Sequence, residues 1–197
     1  MDLKPETGEV DLLPLPRGLA ELVRRRLVPE PGRPFGPIWI HGVSVGEVEV
    51  AVTLAAALRQ RRACVPLLVT STTPAGIDLL SRRFPRGDGG IPTRPFPLDL
   101  PPSVRRFFRS VGPRVLVLVE TELWPAILSE AGRRGVPVLL ASARLSPRSV
   151  RRIRALSSLF RRQLGAITQV LARTGEDAGR FAEIGIEASR VLSLIHI

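Results

Sequence analysis

One cysteine, one lysine, two histidines and no tyrosine among 197 residues leave this chain short of several kinds of chemistry. Cys64 alone cannot close an internal disulfide, and with only His41 and His196 beside it no Cys/His zinc site can be assembled, so no metal site is expected. No apolar run approaches the roughly 20 residues a membrane-spanning helix needs, and the start, Met1-Asp2-Leu3-Lys4-Pro5, does not read as a signal peptide. Aromatic residues make up 5% of the chain. That is too few for the stacking platforms that accompany basic faces in nucleic-acid binding, and no nucleic-acid partner is expected. Neither a G-x-G-x-x-G after a strand nor a G-x-x-x-x-G-K-[ST] is present. A dinucleotide enzyme and a P-loop ATPase are therefore disfavoured.

What the chain does have is apolar residues (44%) and arginine. The first is enough for a sizeable core and argues against wholesale disorder. The second supplies all but one of 29 basic residues, against 18 acids, for a formal net charge of +11. Two readings stay open: a genome-wide preference for arginine codons, or attraction to an anionic partner such as an acidic membrane surface or a phosphorylated ligand.

Residues 1–37, rich in proline and charge, read as a loosely packed lead-in with a short basic helix around Leu19–Leu27. From Ile38 a rhythm of short apolar runs and helical patterns begins. Strands are expected at Ile38–Ile40, Val65–Val69, weakly near Phe96 and Leu98, and at Val115–Val119, Val136–Ala141 and Thr168–Ala172. Helices are expected at Glu47–Gln60, Ala75–Phe84, Pro102–Val111, Leu123–Arg134, Pro147–Leu164 and Glu176–Ile184, with a glycine-rich loop at Gly87–Gly90. Val115–Val119 is apolar at every position, as in a parallel strand covered on both faces. Strands alternating with helices predict βαβ units, and the fold class is α/β: a Rossmann-like parallel sheet with helices on both faces, over residues 38–190. Ligands of such sheets sit beyond the carboxyl ends of the strands. Attention therefore falls on the turns His41–Glu47, Thr70–Pro74, Asp99, Glu120–Glu122 and Ser142–Ser146.

Gly42-Val43-Ser44-Val45-Gly46 matches the G-x-S-x-G nucleophile elbow between a strand and a helix. The partners are missing: the one downstream histidine is His196, and His41, three positions before the serine, cannot easily face it across the turn. A tight turn accounts for the small residues better than a hydrolase does. The acids are more informative. Glu47 closes the first turn, and Glu120 and Glu122 flank Thr121 after the most buried strand, so the carboxylates could converge on one cleft. Neighbouring carboxylates and burial raise a glutamate's pKa toward the range a general base needs, while a helix N-terminus lowers it. Plainer readings are an ordinary first-turn glutamate for Glu47 and a helix start for Glu122; Glu120, directly continuing the apolar strand, is harder to dismiss.

The stretches His41–Glu47 (HGVSVGE), Val69–Gly76 (VTSTTPAG), Pro97–Pro101 (PLDLP), Val119–Pro125 (VETELWP) and Ser142–Ser146 (SARLS), followed by Glu176-Asp177 with Arg180-Phe181, resemble the N-terminal half of Kdo (3-deoxy-D-manno-octulosonic acid) transferases. These are GT-B glycosyltransferases of lipopolysaccharide assembly, and the resemblance runs from about Pro37 to Arg190. It implies transfer of Kdo from CMP-Kdo to a hydroxyl of the lipid A precursor (lipid IVA), peripherally at the cytoplasmic face of the bacterial inner membrane, with CMP-Kdo a donor substrate and no cofactor. Glu47 would correspond to the general base and Glu120 to a second catalytic acid. Ser44, Gly46, Thr72, Thr73, Asp99, Glu122 and Arg144 are the expected substrate-binding residues. Arg148, Arg151, Arg152, Arg154, Arg161 and Arg162 crowd one helix and would either attract an acidic membrane or form a solvated face.

The chain departs from the family pattern in lacking a hydrophobic anchoring segment, in having Ser142 where asparagine is common, and in residues 191–197. That stretch reads as an atypical truncated tail in place of the lysine-bearing start of a donor-binding domain. A fragment inactive alone is therefore expected. Two other readings stay open: a non-catalytic basic module for anionic lipid, and a GT-B transferase with a different acceptor.

Overall fold

Seven strands lie parallel in one sheet, in the order β3-β2-β1-β4-β5-β6-β7. They are β1 (Ile38–His41), β2 (Leu67–Ser71), β3 (Thr93–Pro95), β4 (Val115–Val119), β5 (Val138–Ala143), β6 (Ile167–Ala172) and β7 (Val191–Ser193). The helices are α1 (Arg17–Leu27), α2 (Val45–Arg61), α3 (Pro74–Arg83), α4 (Pro101–Val111), α5 (Pro125–Arg134), α6 (Pro147–Ala155) and α7 (Gly175–Glu183). The computed structural model describes residues 17–28, 34–85, 90–155, 160 and 163–193. Most of the glycine-rich loop, the acidic residue Asp88 included, falls outside them, as do Arg161, Arg162, His196 and parts of the helix expected to reach Leu164.

Side chains alternate across the sheet and divide the core in two. Trp39, Leu68, Leu116 and Leu118 face one way, onto a cluster with Phe107 and Phe108 of α4 and Ile127 and Leu128 of α5. Ile40, Leu67, Val69, Val117 and Val119 face the other, onto Val48, Ala51 and Ala55 of α2 and Leu79 and Leu80 of α3. β4, buried on both faces, is therefore apolar throughout. Two helices end on glycines in the left-handed conformation, α4 at Gly112 and α5 at Gly135, where a side chain would be strained.

Four expectations change. β2 and β5 begin two residues later than their apolar runs, each just after a proline, Pro66 or Pro137, that supplies a carbonyl but no N–H to the neighbouring strand. β3 ends before Phe96, and it is only three residues long, too short to carry a period. Residues 191–193, set apart as tail, add a seventh strand beside β6, so the sheet runs past the boundary placed at 190. Nor is α1 a loose lead-in. Its Arg26 carbonyl accepts from the Leu98 N–H at 3.0 Å and from the Ser103 hydroxyl.

Candidate active site

The strand order reverses at β1: the chain winds outward through β2 and β3, then returns to place β4 on the other side. In parallel α/β sheets the crevice at such a reversal is where ligands bind. His41 of β1 lies in register with Leu118 of β4, so the β1–α2 and β4–α5 turns leave the same edge side by side. Glu47 comes from the first turn, and Glu120 and Glu122 from the second.

The first turn is a variant of the capping box, in which Glu47 reaches back to the Val43 N–H rather than to that of the N-cap Ser44. Ser44 Oγ accepts the Glu47 N–H at 3.2 Å and donates to Glu47 Oε1 at 2.7 Å, while the Val43 N–H donates to Oε2 at 2.9 Å. Each carboxylate oxygen accepts one hydrogen bond and keeps a lone pair. Gly42 is required here, since a Cβ would lie 2.8 Å from the Glu47 backbone. At Gly46 a Cβ would meet nothing closer than Ser44 Oγ at 4.0 Å, which leaves the helix start open to a ligand. Ser71 Oγ and Thr73 Oγ1 donate to the Val43 carbonyl at 3.3 and 3.0 Å and brace this turn against β2–α3. Thr73 also caps α3, and Thr72 is buried beside it.

The second turn is strained. Glu120 has φ +60°, a left-handed conformation that costs a non-glycine residue roughly 1–2 kcal/mol. Its N–H is held by the Ala141 carbonyl at 2.8 Å. Ser142, φ +53°, sits where the β5–β6 register shifts. Thr121 Oγ1 donates to the Arg144 carbonyl and accepts the Arg144 N–H, locking the β4 and β5 turns together. The Arg144 guanidinium then reaches Glu120 at 3.9 Å.

Glu122 is half-buried, and this pushes its carboxyl up to about 7. The Glu47 charge adds to the rise, the Trp124 indole opposes it, and the Glu120 charge adds further. Trp124 Nε1 lies near that carboxyl yet has no partner in hydrogen-bond geometry. Glu122 thus feels both other carboxylates and is partly protonated near neutral pH. Between pH 4.5 and about 7 the folded chain keeps a proton that the unfolded chain has released, so stability falls as pH rises through this window and is level above it. Glu122→Gln is expected to remove that fall, making the variant more stable than the parent at pH 8 by on the order of 1–3 kcal/mol. Urea unfolding at pH 5 and pH 8 reads the difference; identical pH dependence in both proteins would refute it.

Asp99, chosen from the sequence as a substrate-binding residue, serves elsewhere. Asp99 accepts the Ala126 and Ile127 N–H groups at 3.2 and 2.9 Å and so caps α5 from the β3–α4 turn. Its carboxyl is pushed up by burial and pulled down by those two bonds. Arg148, Arg151, Arg152 and Arg154 lie on α6, and all four are exposed. His41, dismissed as a serine partner, is fully buried with Nδ1 3.0 Å from the Thr70 carbonyl, and it stacks on Phe96 at 3.6 Å. Burial drives its pKa down to about 3, so it is a neutral imidazole. Among the described residues no group of three or more His, Cys, Asp or Glu is placed to hold a metal.

A family model described as 3-Deoxy-D-manno-octulosonic-acid transferase (kdotransferase) matches residues 19–196. The 3-deoxy-D-manno-octulosonic acid transferase of Bordetella pertussis is 38% identical over 157 residues, 79% of this chain and 36% of that protein. The Haemophilus influenzae protein of the same name is 34% identical over 148 residues, 75% of this chain and 34% of that protein. The chain spans about a third of the length of these curated relatives. A UDP-GlcNAc 2-epimerase from Neisseria meningitidis, solved bound to UDP-GlcNAc, shares the fold with a TM-score of 0.57 at 12% identity, over 80% of this chain and 46% of that one.

Proposed function

Since the chain belongs to the 3-deoxy-D-manno-octulosonic acid transferase family, we propose that it forms the acceptor side of an enzyme moving Kdo from CMP-Kdo to a hydroxyl of a lipid A precursor. The observation that carries this reading is the meeting of carboxylates from the β1–α2 and β4–α5 turns where the strand order reverses. The acceptor oxygen attacks the anomeric carbon of Kdo, the bond from that carbon to the CMP phosphate breaks, and the hydroxyl proton passes to Glu47. Glu47 is oriented for this by Ser44 and Val43, with a lone pair of each oxygen still available. Glu120, on its strained backbone beside Arg144, stabilises the positive charge that develops on the sugar. Glu122, partly protonated near neutral pH, can donate a hydrogen bond to the substrate.

Ser44, Gly46, Thr72 and Thr73 border the open start of α2 and receive the acceptor sugar, and Arg144 takes one of its anionic groups. The residues holding CMP-Kdo belong, in this reading, to the part of the relatives' length that the chain does not match. No helix among the described residues is long and apolar enough to cross a membrane. In this reading the arginine-rich surface aids peripheral attachment at the cytoplasmic face of the inner membrane. The test is a chimera in which this chain replaces the matching third of the Bordetella pertussis relative. Release of CMP coupled to Kdo transfer onto lipid IVA is expected; a folded chimera that binds CMP-Kdo but transfers to no lipid A precursor would contradict the reading.

A further inference from the structure

Arg26 of α1 is built into the sheet edge. Its carbonyl accepts from the Leu98 N–H and the Ser103 hydroxyl, and its Nε donates to the Phe96 carbonyl at 2.9 Å. The first two hold the helix backbone, and the third holds a half-buried guanidinium over the β3–α4 turn. Docking the helix uses only the carbonyl and Nε. The two Nη groups make no hydrogen bond or ion pair with a described residue, and neither is sealed from solvent. A guanidinium stripped of part of its water, held rigid and given no carboxylate, is unfavourable unless an anion completes it.

Its surroundings mark the same place. Burial lowers the Arg26 pKa, and the Arg26 charge contributes to the lowering at His41, the last residue of β1 before the turn that carries Glu47. From Arg24, by contrast, a two-point pair runs to Glu21 on the exposed face of the same helix. Counting strand spacings of about 4.8 Å, β3 lies within about 12 Å of the gap between β1 and β4. Arg26 therefore stands on the β3 side of the cleft, opposite Arg144 on the β5 side.

We propose that Arg26 is an oxyanion-binding residue of the cleft, its free Nη pair receiving a phosphate or carboxylate of a sugar substrate at a point remote from the reacting bond. The inference rests on the sugar-transfer reading for the identity of the ligand. A contact made equally in ground and transition states changes KM and leaves kcat alone.

The 197-residue chain is titrated with two probes, a deacylated phosphorylated glucosamine disaccharide and free Kdo. Arg26→Gln is expected to weaken one of them about 10- to 100-fold, while Arg148→Gln on α6 changes neither by more than about twofold. Loss confined to the disaccharide assigns the anion to the acceptor phosphate, and loss confined to Kdo assigns it to the sugar carboxylate. Unchanged binding of both probes by Arg26→Gln, equal loss in Arg148→Gln, or no binding by the parent chain overturns the inference. Should Arg26→Gln fail to fold, the arginine Nε–H resonances of the parent chain are followed instead, Arg26 being the one that Arg26→Lys removes; a signal indifferent to both probes is equally fatal. In the chimera, Arg26→Gln should raise KM about tenfold or more at constant kcat. Parental kinetics in that variant would dispose of Arg26 and leave the transfer reading standing, whereas a parent chimera without transfer would dispose of the reading while the titration still reports on Arg26.

Discussion

Glu47→Gln in the chimera is expected to lower kcat for Kdo transfer by about 10²- to 10⁴-fold, the usual contribution of a positioned general base. Glutamine is the informative replacement because it preserves the first turn. Its amide oxygen can still accept the Val43 N–H, and its amide nitrogen can donate to Ser44 Oγ, which remains the acceptor for the residue-47 N–H. Alanine would also remove the capping box, at a cost of about 0.5–2 kcal/mol, and would confuse lost chemistry with a frayed helix start. Glutamine lacks only the capacity to take a proton. KM should change little, and circular dichroism and the unfolding midpoint should match the parent. A kcat within about threefold of the parent would remove Glu47 from proton transfer.

The second large effect is on stability. Trp39 is wholly buried on the interior strand β1, with ring centroids 5.5 Å from Phe96, 4.6 Å from Phe107 and 5.6 Å from Phe108. Its indole N–H donates to Thr70 Oγ1 at 2.8 Å. Trp39→Ala is expected to cost about 3–5 kcal/mol through the cavity it leaves among these rings, a large share of the roughly 5–15 kcal/mol a domain has. Trp39→Phe keeps most of the ring and loses the hydrogen bond, so about 1–2 kcal/mol is expected. Urea unfolding reads both. An alanine variant less than 1 kcal/mol below the parent would mean that the aromatic cluster does not bear on stability. The cluster also matters for the site: Trp39 and His41 project from the same face of β1, and Phe96 packs on both and on Trp124.

Much of this was legible in the sequence because the signals are local. β4 is apolar at every position since both of its faces are covered, and its acids stand out by contrast. Gly42 and the glycines ending α4 and α5 mark backbone positions that a side chain would disturb. The pattern Ser44-x-x-Glu47 carries the capping box, a signal present in four residues though it says nothing of catalysis. What stayed hidden depends on partners far along the chain. Asp99 caps a helix that begins 26 positions later, and no neighbour of Asp99 announces it. Arg26 sits in a basic run that reads as a solvated helix face, while its partners are Phe96, Leu98 and Ser103. Glu122 resembles a helix start, yet its environment perturbs it because Glu47 arrives from another turn. β7 is three residues on an edge, with too little length for a pattern.

The account turns on two turns of the sheet delivering their carboxylates to one place. The most direct measurement is the titration of the Glu122 side-chain carboxyl by carbon NMR in the parent chain and in Glu47→Gln. The account predicts a midpoint of about 7 in the parent and a lower one in the variant, because neutralising residue 47 removes a charge that opposes ionisation. A Glu122 midpoint that is the same in both proteins would contradict it.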